Sequence, residues 1–289
     1  MYAHPEYLTD VDELAEDMAN DDGSLRIYDT SVHLLPASNG YKVQSGYDDY
    51  LSAHIPGAGF IDLADAWSKP HPTLRFTLPD LQDLQAQIGK SGIGRENRVV
   101  LYSAGHLMWA TRAWWLLYHA GHRNIAILNG NFTAWQAAGQ PTESGARTYP
   151  ATTFEADPAQ SAFADTETVA QGMHGATCTI NSLSKSLYEG TGDFYYKRRG
   201  HIPGSLSLYY DQLLDNEHFL PRDQLSELLE ERGALSAEHV ITYCGGGIAA
   251  TLDAFACLLC GQQSVQVYDG SMSEWVQDDA RPLTEGAKP

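Results

Sequence analysis

The sequence of 289 residues contains the same pattern twice, once in each half. His54-Ile55-Pro56-Gly57 in the first half returns as His201-Ile202-Pro203-Gly204 in the second. The other matching positions are Tyr102-Ser103 with Tyr243-Cys244, Gly121 with Gly261, Gly130 with Gly270, and Trp135 with Trp275. The repeat distance is about 140 residues, an ordinary domain size. We therefore expect two copies of one unit, residues 1–142 and 150–289, joined by a linker that contains several prolines.

Each copy alternates short apolar runs with longer runs of helical periodicity. In the first half, strands are predicted at 25–28, 59–63, 99–102 and 125–128, with helices near 79–88, 108–120 and 132–138. In the second half, the matching strands are predicted at 178–181, 206–208, 240–243 and 265–268. This alternation is typical of an α/β fold with a mostly parallel sheet flanked by helices, in which ligands bind beyond the carboxyl ends of the strands.

A cysteine and three glycines follow the predicted strand at 240–243. Gly245, Gly246 and Gly247 allow successive backbone N–H groups to turn toward one point, and the helical run that starts at Ile248 adds its unpaired donors and the positive end of its dipole. Such surroundings lower the pKa of a cysteine, which is otherwise about 8.5. We predict that Cys244 is a nucleophilic thiolate on an anion-binding loop; the alternative left open is a small buried side chain.

These features together resemble the tandem-domain rhodanese sulfurtransferases. The resemblance rests on the two His-Ile-Pro-Gly motifs, the strand that ends in Tyr243-Cys244, the glycine loop, and a Gly-x-x-x-x-Trp pattern near the end of each half. It implies an α/β fold of two rhodanese-like domains, of which only the second carries the active cysteine. Ser103 stands at the corresponding position of the first half, so that domain is expected to be catalytically degenerate.

The resemblance also implies the reaction. Cys244 takes a sulfane sulfur from a small donor and holds it as a persulfide, which divides one difficult transfer into two. The sulfur then passes to cyanide or to a thiol such as thioredoxin or glutathione. Neither a cofactor nor a metal is implied. The residues implied to bind the transferred sulfur through their backbone amides are Gly245, Gly246, Gly247, Ile248 and Ala249.

The donor favoured by the resemblance is 3-mercaptopyruvate, with thiosulfate as the alternative. Family members that prefer thiosulfate usually carry basic side chains directly after the cysteine, and the three glycines here are uncharged. Asp62 matches an aspartate proposed to assist the cysteine in mercaptopyruvate enzymes, although it can equally be a structural cap. The loop serine of those enzymes is replaced by Gly246, which leaves proton transfer to water or to the substrate.

A donor that bears a carboxylate is expected to need a guanidinium, because arginine binds carboxylates through paired hydrogen bonds. Arg198 and Arg199 lie just before the second motif, in the region of the family's substrate arginines, and are the predicted carboxylate-binding residues. Leu187 stands where another substrate arginine is expected. The alternative for such a run of charges is a solvated surface.

Other classes of protein and of cysteine site share parts of this pattern. Cysteine phosphatases use a related loop but need an arginine at the position of Ala250. A non-catalytic sulfur carrier or partner-binding module is a further alternative, which persulfide formation on Cys244 with release of pyruvate or sulfite would exclude. Cys257 and Cys260 lie within an apolar helical run and are predicted to pack in the core rather than bind a metal.

Composition limits the possible partners. The chain has 18 basic and 37 acidic side chains, a net charge of −19, and no basic stripe, so nucleic acid is not an expected partner. No apolar run approaches about 18 residues, so no membrane insertion is expected. The four cysteines, one of them needed as a thiolate, fit a reducing compartment, and we expect a cytoplasmic protein.

Overall fold

The computed structural model of the protein describes residues 1–37, 40–158, 161–173, 175–192 and 196–289. None of the helices in these ranges has the length and apolar content needed to cross a membrane.

The first half is a sheet whose strands alternate with helices, as the sequence predicts. Its elements in chain order are β1 (Leu8–Thr9), α1 (Val11–Ala19), β2 (Leu25–Asp29), β3 (Val32–Ala37), β4 (Gly40–Ser45), α2 (Tyr47–Ser52), β5 (Gly59–Phe60), α3 (Leu81–Lys90), β6 (Arg98–Tyr102), α4 (Met108–His119), β7 (Ile125–Leu128) and α5 (Asn131–Ala137).

The second half also alternates strands and helices, with its hairpin at a different place in the order. Its elements are β8 (Phe163–Ala164), α6 (Thr166–Gly172), β9 (Thr177–Asn181), α7 (Lys185–Tyr188), β10 (Leu206–Ser207), β11 (Leu214–Asp215), β12 (His218–Phe219), α8 (Arg222–Glu230), β13 (His239–Tyr243), α9 (Ala250–Leu259), β14 (Val265–Tyr268) and α10 (Ser271–Trp275).

Each half contains one five-stranded sheet, and the two sheets have the same strand order. The first runs β1-β7-β6-β2-β5 and the second runs β8-β14-β13-β9-β10. All pairs within both sheets are parallel. The predicted α/β fold of two units, each with a mostly parallel sheet flanked by helices, is therefore confirmed. Because β6 and β13 are the central strands, the residues that follow them lie at the middle of each sheet's carboxyl edge.

Two antiparallel hairpins lie outside these sheets, and the sequence analysis did not predict them. Strands β3 and β4 pair along their whole length, while β11 and β12 form a hairpin with only two residues in each strand. The apolar pattern is weak in both, since four of the six β3 residues are exposed.

The repeated His-Ile-Pro-Gly motif fixes a turn in each half. The hydroxyl of Tyr102 accepts a hydrogen bond from the Ile55 N–H at 3.2 Å, and that of Tyr243 accepts one from the Ile202 N–H at 3.0 Å. His201 is fully buried and its ring stacks on Tyr188 with 3.7 Å between the ring centroids. Strand-end tyrosines and motif residues therefore recur together because each holds the other in place.

A single hydrophobic core continues from one half into the other. Helices α4 and α9 pack against each other, and the ring of Trp114 meets that of Phe255 edge-on at 4.9 Å. The hydroxyls of Thr111 and Thr251 lie 2.6 Å apart in the same interface, and both residues are fully buried. The two halves are thus joined by core packing, which fixes the position of one sheet edge relative to the other.

Candidate active site

Cys244 lies directly after the central strand β13 and is 3% exposed. Both backbone groups of the residue are tied to the start of α10. Its N–H donates to the Ser271 hydroxyl at 3.0 Å, and its carbonyl accepts from the Met272 N–H at 3.1 Å. The side chain is therefore presented from a rigid position at the carboxyl edge of the sheet.

In the loop after Cys244, the carbonyls of Gly245, Gly247, Ile248 and Ala249 accept hydrogen bonds. The Gly245 carbonyl accepts from the N–H and the hydroxyl of Ser273 at 2.9 and 2.7 Å, and the Gly247 carbonyl accepts from Arg112 at 3.2 Å. Further along, the carbonyls of Ile248 and Ala249 accept from the first turn of α9.

The N–H groups of the same loop contrast with its carbonyls. Within the described part of the chain, none of the backbone N–H groups of residues 245–249 donates a hydrogen bond. In a trans peptide the C=O of one residue and the N–H of the next point in opposite directions, so each bound carbonyl directs the following N–H away from that carbonyl's partner. Buried amides rarely lack a partner, and a set of them before a helix is suited to an anion.

The three loop glycines differ in how strictly their surroundings require glycine, and Gly247 is the most constrained. Gly247 has φ +75°, and a β-carbon on it would lie 2.4 Å from the Asp269 carbonyl oxygen. A β-carbon on Gly245 would lie 2.6 Å from the hydroxyl of Tyr196. A β-carbon on Gly246, in contrast, would meet nothing closer than the Ser273 hydroxyl at 4.0 Å.

Arg112, from α4, is 1% exposed and its guanidinium binds the loop. One terminal nitrogen donates to the Asp269 carboxylate at 2.7 Å and to the Phe76 carbonyl at 2.5 Å, and the other reaches the Gly247 carbonyl. The second oxygen of Asp269 accepts from the Leu78 N–H at 2.8 Å. A first-half helix and a first-half segment are thereby connected to the second-half loop by charge-assisted hydrogen bonds.

Two tyrosines stand close to the loop. The Tyr196 hydroxyl lies beside Gly245, 2.6 Å from the place that a β-carbon on this glycine would occupy. The pKa of Tyr210 is raised, mainly by burial of the phenol and further by its neighbour Tyr209 and by the charges of Asp211 and Cys244. Its ring meets that of His106 edge-on at 5.1 Å. These aromatic side chains form part of the wall near the cysteine.

Four further residues belong to this site although the sequence pattern did not predict them: Arg112, Asp269, Tyr196 and Tyr210. A basic residue inside the otherwise apolar run of α4 and an acidic residue directly after β14 were the available signals for the first two. The tyrosines carried no signal, since their approach to the loop depends on the tertiary fold.

Asp62 lies after β5 and caps a turn. Its carboxylate accepts from the N–H groups of Ala64 at 2.9 Å and Asp65 at 3.3 Å. Within the described residues it makes no hydrogen bond to the loop 244–249. It borders a surface cavity lined by Gln44, Ser45, Tyr47, Asp48, Phe60 and Asp62. These contacts are those expected if Asp62 is a structural cap rather than a residue that assists the cysteine.

The two predicted carboxylate-binding arginines differ in their surroundings. The terminal nitrogens of Arg198 donate to the carbonyls of Asp278 at 2.9 Å and Arg281 at 2.5 Å, so this guanidinium ties down the C-terminal segment. Arg199 is exposed. Leu187, at the position where another arginine is expected, lies in α7 and is half-buried.

The remaining cysteines have surroundings that disfavour thiolates. Burial raises the pKa of the Cys178 thiol to about 11, and that thiol donates to the Arg232 carbonyl. Burial also raises the pKa values of Cys257 and Cys260, which lie in and just after α9 as free thiols. Among the described residues, no group of three or more His, Cys, Asp or Glu side chains is arranged to hold a metal ion.

Comparison with known proteins gives a consistent result over most of the chain. A family model of the rhodanese-like domain matches residues 12–138 and 186–278. The probable 3-mercaptopyruvate sulfurtransferase of Pseudomonas aeruginosa is 34% identical over 247 residues, which are 82% of this chain and 86% of that protein. The putative thiosulfate sulfurtransferase of Mycobacterium tuberculosis is 32% identical over 248 residues, which are 83% and 86% of the two chains.

A solved structure agrees in fold as well. The crystal structure of SseA from Escherichia coli, a 3-mercaptopyruvate sulfotransferase with the rhodanese fold, superimposes with a TM-score of 0.79 at 27% identity. The match covers 93% of this chain and 99% of that one.

Proposed function

The chain belongs to the rhodanese-like family and is a sulfurtransferase, and we propose that it takes its sulfur from 3-mercaptopyruvate through a persulfide on Cys244. The observation that carries this proposal is the loop after Cys244, in which the carbonyls of Gly245, Gly247, Ile248 and Ala249 are hydrogen-bonded while the N–H groups of residues 245–249 have no partner among the described residues. Small-molecule sulfur donors and acceptors are the partners of such an enzyme.

The first half-reaction forms a sulfur–sulfur bond. The Cys244 thiolate attacks the sulfur of 3-mercaptopyruvate, the carbon–sulfur bond breaks, and its electron pair leaves on the carbon as the enolate of pyruvate. The enolate takes a proton from water or from the substrate, because Gly246 supplies no hydroxyl. The persulfide that remains is an anion, and the loop amides stabilise it by preorganised hydrogen bonds, worth about 3 kcal/mol for one well-placed donor.

The second half-reaction regenerates the cysteine. The acceptor attacks the outer sulfur, with its sulfur if it is a thiolate or with its carbon if it is cyanide. A new sulfur–sulfur or carbon–sulfur bond forms, the sulfur–sulfur bond to Cys244 breaks, and Cys244 leaves as the thiolate. Thioredoxin, glutathione and cyanide are the proposed acceptors. The partial burial of Gly245 and Gly246, beside the buried Cys244, supports access to the sulfur from one side only.

The identity of the sulfur donor is inferred from the loop residues and from a relative. Two observations support 3-mercaptopyruvate: no charged side chain occurs among residues 245–249, and the Pseudomonas aeruginosa relative bears that name. Thiosulfate is the alternative, which the name of the Mycobacterium tuberculosis relative favours. Arg199 is the proposed partner of the donor carboxylate, since both terminal nitrogens of Arg198 already bind backbone carbonyls.

The test compares sulfur release from 3-mercaptopyruvate and from thiosulfate under identical conditions. We expect a higher kcat/KM with 3-mercaptopyruvate, loss of activity in Cys244→Ser, and full activity in the matched control Cys178→Ser. Thiosulfate ahead by about tenfold, which is about 1.4 kcal/mol of transition-state stabilisation, would overturn the donor assignment. Full activity in Cys244→Ser would overturn the mechanism.

The role of Arg199 is tested in the same assay. Arg199→Ala is expected to raise KM for 3-mercaptopyruvate with little effect on thermal stability, whereas Arg198→Ala is expected to lower stability through the freed C-terminal segment. An unchanged KM in Arg199→Ala removes that residue from donor binding.

A further inference from the structure

The first half keeps the scaffold of the catalytic loop without the cysteine. Ser103 follows the central strand β6, and its N–H donates to the side-chain oxygen of Asn131 at 2.8 Å. Cys244 uses the Ser271 hydroxyl in the same way. Asn131 and Ser271 are both at positive φ, 60° and 48°, at the start of matching helices. We call residues 103–107 the first-half loop.

A carboxylate from the second half is bound at this first-half loop. One oxygen of Glu217 accepts from the Leu107 N–H at 2.5 Å and from the Asn131 side-chain nitrogen at 3.2 Å. Its other oxygen lies 3.9 Å from Nε2 of His106, and the same ring nitrogen lies 3.3 Å from the Asp211 carboxylate. Leu107 is the N-cap of the twelve-residue helix α4, so the carboxylate also meets the positive end of that helix dipole.

The hairpin of β11 and β12, which we call the capping hairpin, delivers this carboxylate. Asn216 and Glu217 form its turn with φ 49° and 65°, a conformation that non-glycine residues rarely adopt. The hairpin is anchored on both sides, because Gly130 N–H donates to the Glu217 carbonyl at 3.1 Å and Phe219 N–H donates to the Asn129 side chain at 3.0 Å.

A first-half segment is anchored to the catalytic half in the same way, but it has Phe76 at the position of Glu217. Leu78 N–H donates to Asp269 as Phe219 N–H donates to Asn129, and Phe76 is at φ 57° as Glu217 is at φ 65°. At the Glu217 position the first-half segment therefore carries Phe76, whose side chain cannot act as an anion. Of the two equivalent loops, one holds an anion from the chain itself and the other is open.

We propose that the first-half loop is a binding site for a small oxyanion, occupied by the Glu217 carboxylate of the same chain. The site consists of the Leu107 N–H and the Asn131 side-chain amide, with the His106 ring, itself paired with Asp211, at its edge. Because the carboxylate is tethered, its effective concentration is high and it excludes free anions of the sulfur-donor class from this half. Removing the carboxylate opens the site to sulfate.

The test is a sulfate titration of the full-length chain, read by the His106 ring resonances in NMR and by the calorimetric stoichiometry at constant ionic strength. In Glu217→Ala we expect sulfate to shift the His106 resonances and to bind at one site more than in the wild type. The matched control is Asp215→Ala, which removes an exposed carboxylate from the same hairpin and should behave as the wild type.

Glu217→Gln keeps the shape of the side chain, so it tests sulfate binding at the first-half loop if the alanine variant does not fold. We expect sulfate to shift the His106 resonances in this variant too, at higher sulfate concentration, because a neutral amide is a weaker competitor. Folded variants in which sulfate leaves His106 unmoved and the stoichiometry unchanged would overturn the proposal. Neither outcome depends on the donor or the chemistry at Cys244.

Discussion

At the scale of single residues, the loop after Cys244 shows which parts of a motif the backbone requires. Gly247 combines positive φ with close approach to the Asp269 carbonyl, while Gly246 has open space around it. The sequence could show that glycines were grouped here, but not which of them was indispensable. That distinction depends on Asp269, a residue that the fold brings in from the end of another strand.

We expect Gly247→Ala to destabilise the protein by about 1–3 kcal/mol and to lower sulfur transfer strongly, because the new methyl group forces the loop to move. Gly246→Ala is the matched control and should leave stability nearly unchanged. Urea unfolding and the sulfur-release assay provide the two measurements. Equal stability of the two variants would show that the loop tolerates a side chain at both positions.

Asp253 is a second informative residue, because it is fully buried in α9 and neither carboxylate oxygen has a hydrogen-bond partner in the described part of the chain. Burial raises its pKa well above the ordinary range, offset in part by Ser182. A carboxyl whose pKa is raised in the folded state favours folding most at pH below the unfolded pKa of about 3.9, and this contribution is lost as pH rises through the folded pKa.

The wild type should therefore lose stability relative to Asp253→Asn as pH increases from about 4 through the raised pKa of Asp253. Asp29, whose pKa burial raises to about 6, acts in the same direction but is common to both proteins and cancels in the difference. The exposed Asp223→Asn is the control for loss of one acidic charge. Parallel stability curves for wild type and Asp253→Asn would contradict this account.

At the scale of elements, the sequence was sufficient where the pattern was local. Apolar runs located β2, β6, β7, β9, β13 and β14, and the repeat fixed their correspondence between the halves. The hairpins were missed because their strands are short or largely exposed, so neither carries a clear alternation. The Arg112–Asp269 pair was missed because its members are distant in sequence and belong to different halves.

The Arg112–Asp269 pair gives a prediction about how elements support the site. Arg112→Met leaves the largely buried Asp269 carboxylate without its guanidinium, and we expect a loss of about 3–5 kcal/mol in the free energy of unfolding. Arg112→Met combined with Asp269→Asn should recover part of this loss, because no unpaired charge remains. A double variant no more stable than Arg112→Met alone would show that the pair is not coupled.

At the scale of the whole molecule, the two halves share one core through α4 and α9. The proposed boundaries, 1–142 and 150–289, divide the repeat but also cut this core. We expect the full chain to unfold in one transition, with fluorescence and far-UV circular dichroism giving the same midpoint. A fragment of residues 150–289 is expected to be unfolded or aggregated, because it exposes the α9 face. A fragment as stable as the intact chain would contradict this view.

The central claim is that the N–H groups of residues 245–249, which have no partner in the described ranges, hold a transferred sulfur on Cys244. The most direct measurement is a crystal structure of the protein after reaction with 3-mercaptopyruvate, with the added sulfur counted by intact mass. We predict one added sulfur atom on Cys244, with its outer sulfur within hydrogen-bond distance of several of these N–H groups. An added sulfur on another cysteine, or a Cys244 persulfide directed away from the loop amides, would contradict the account.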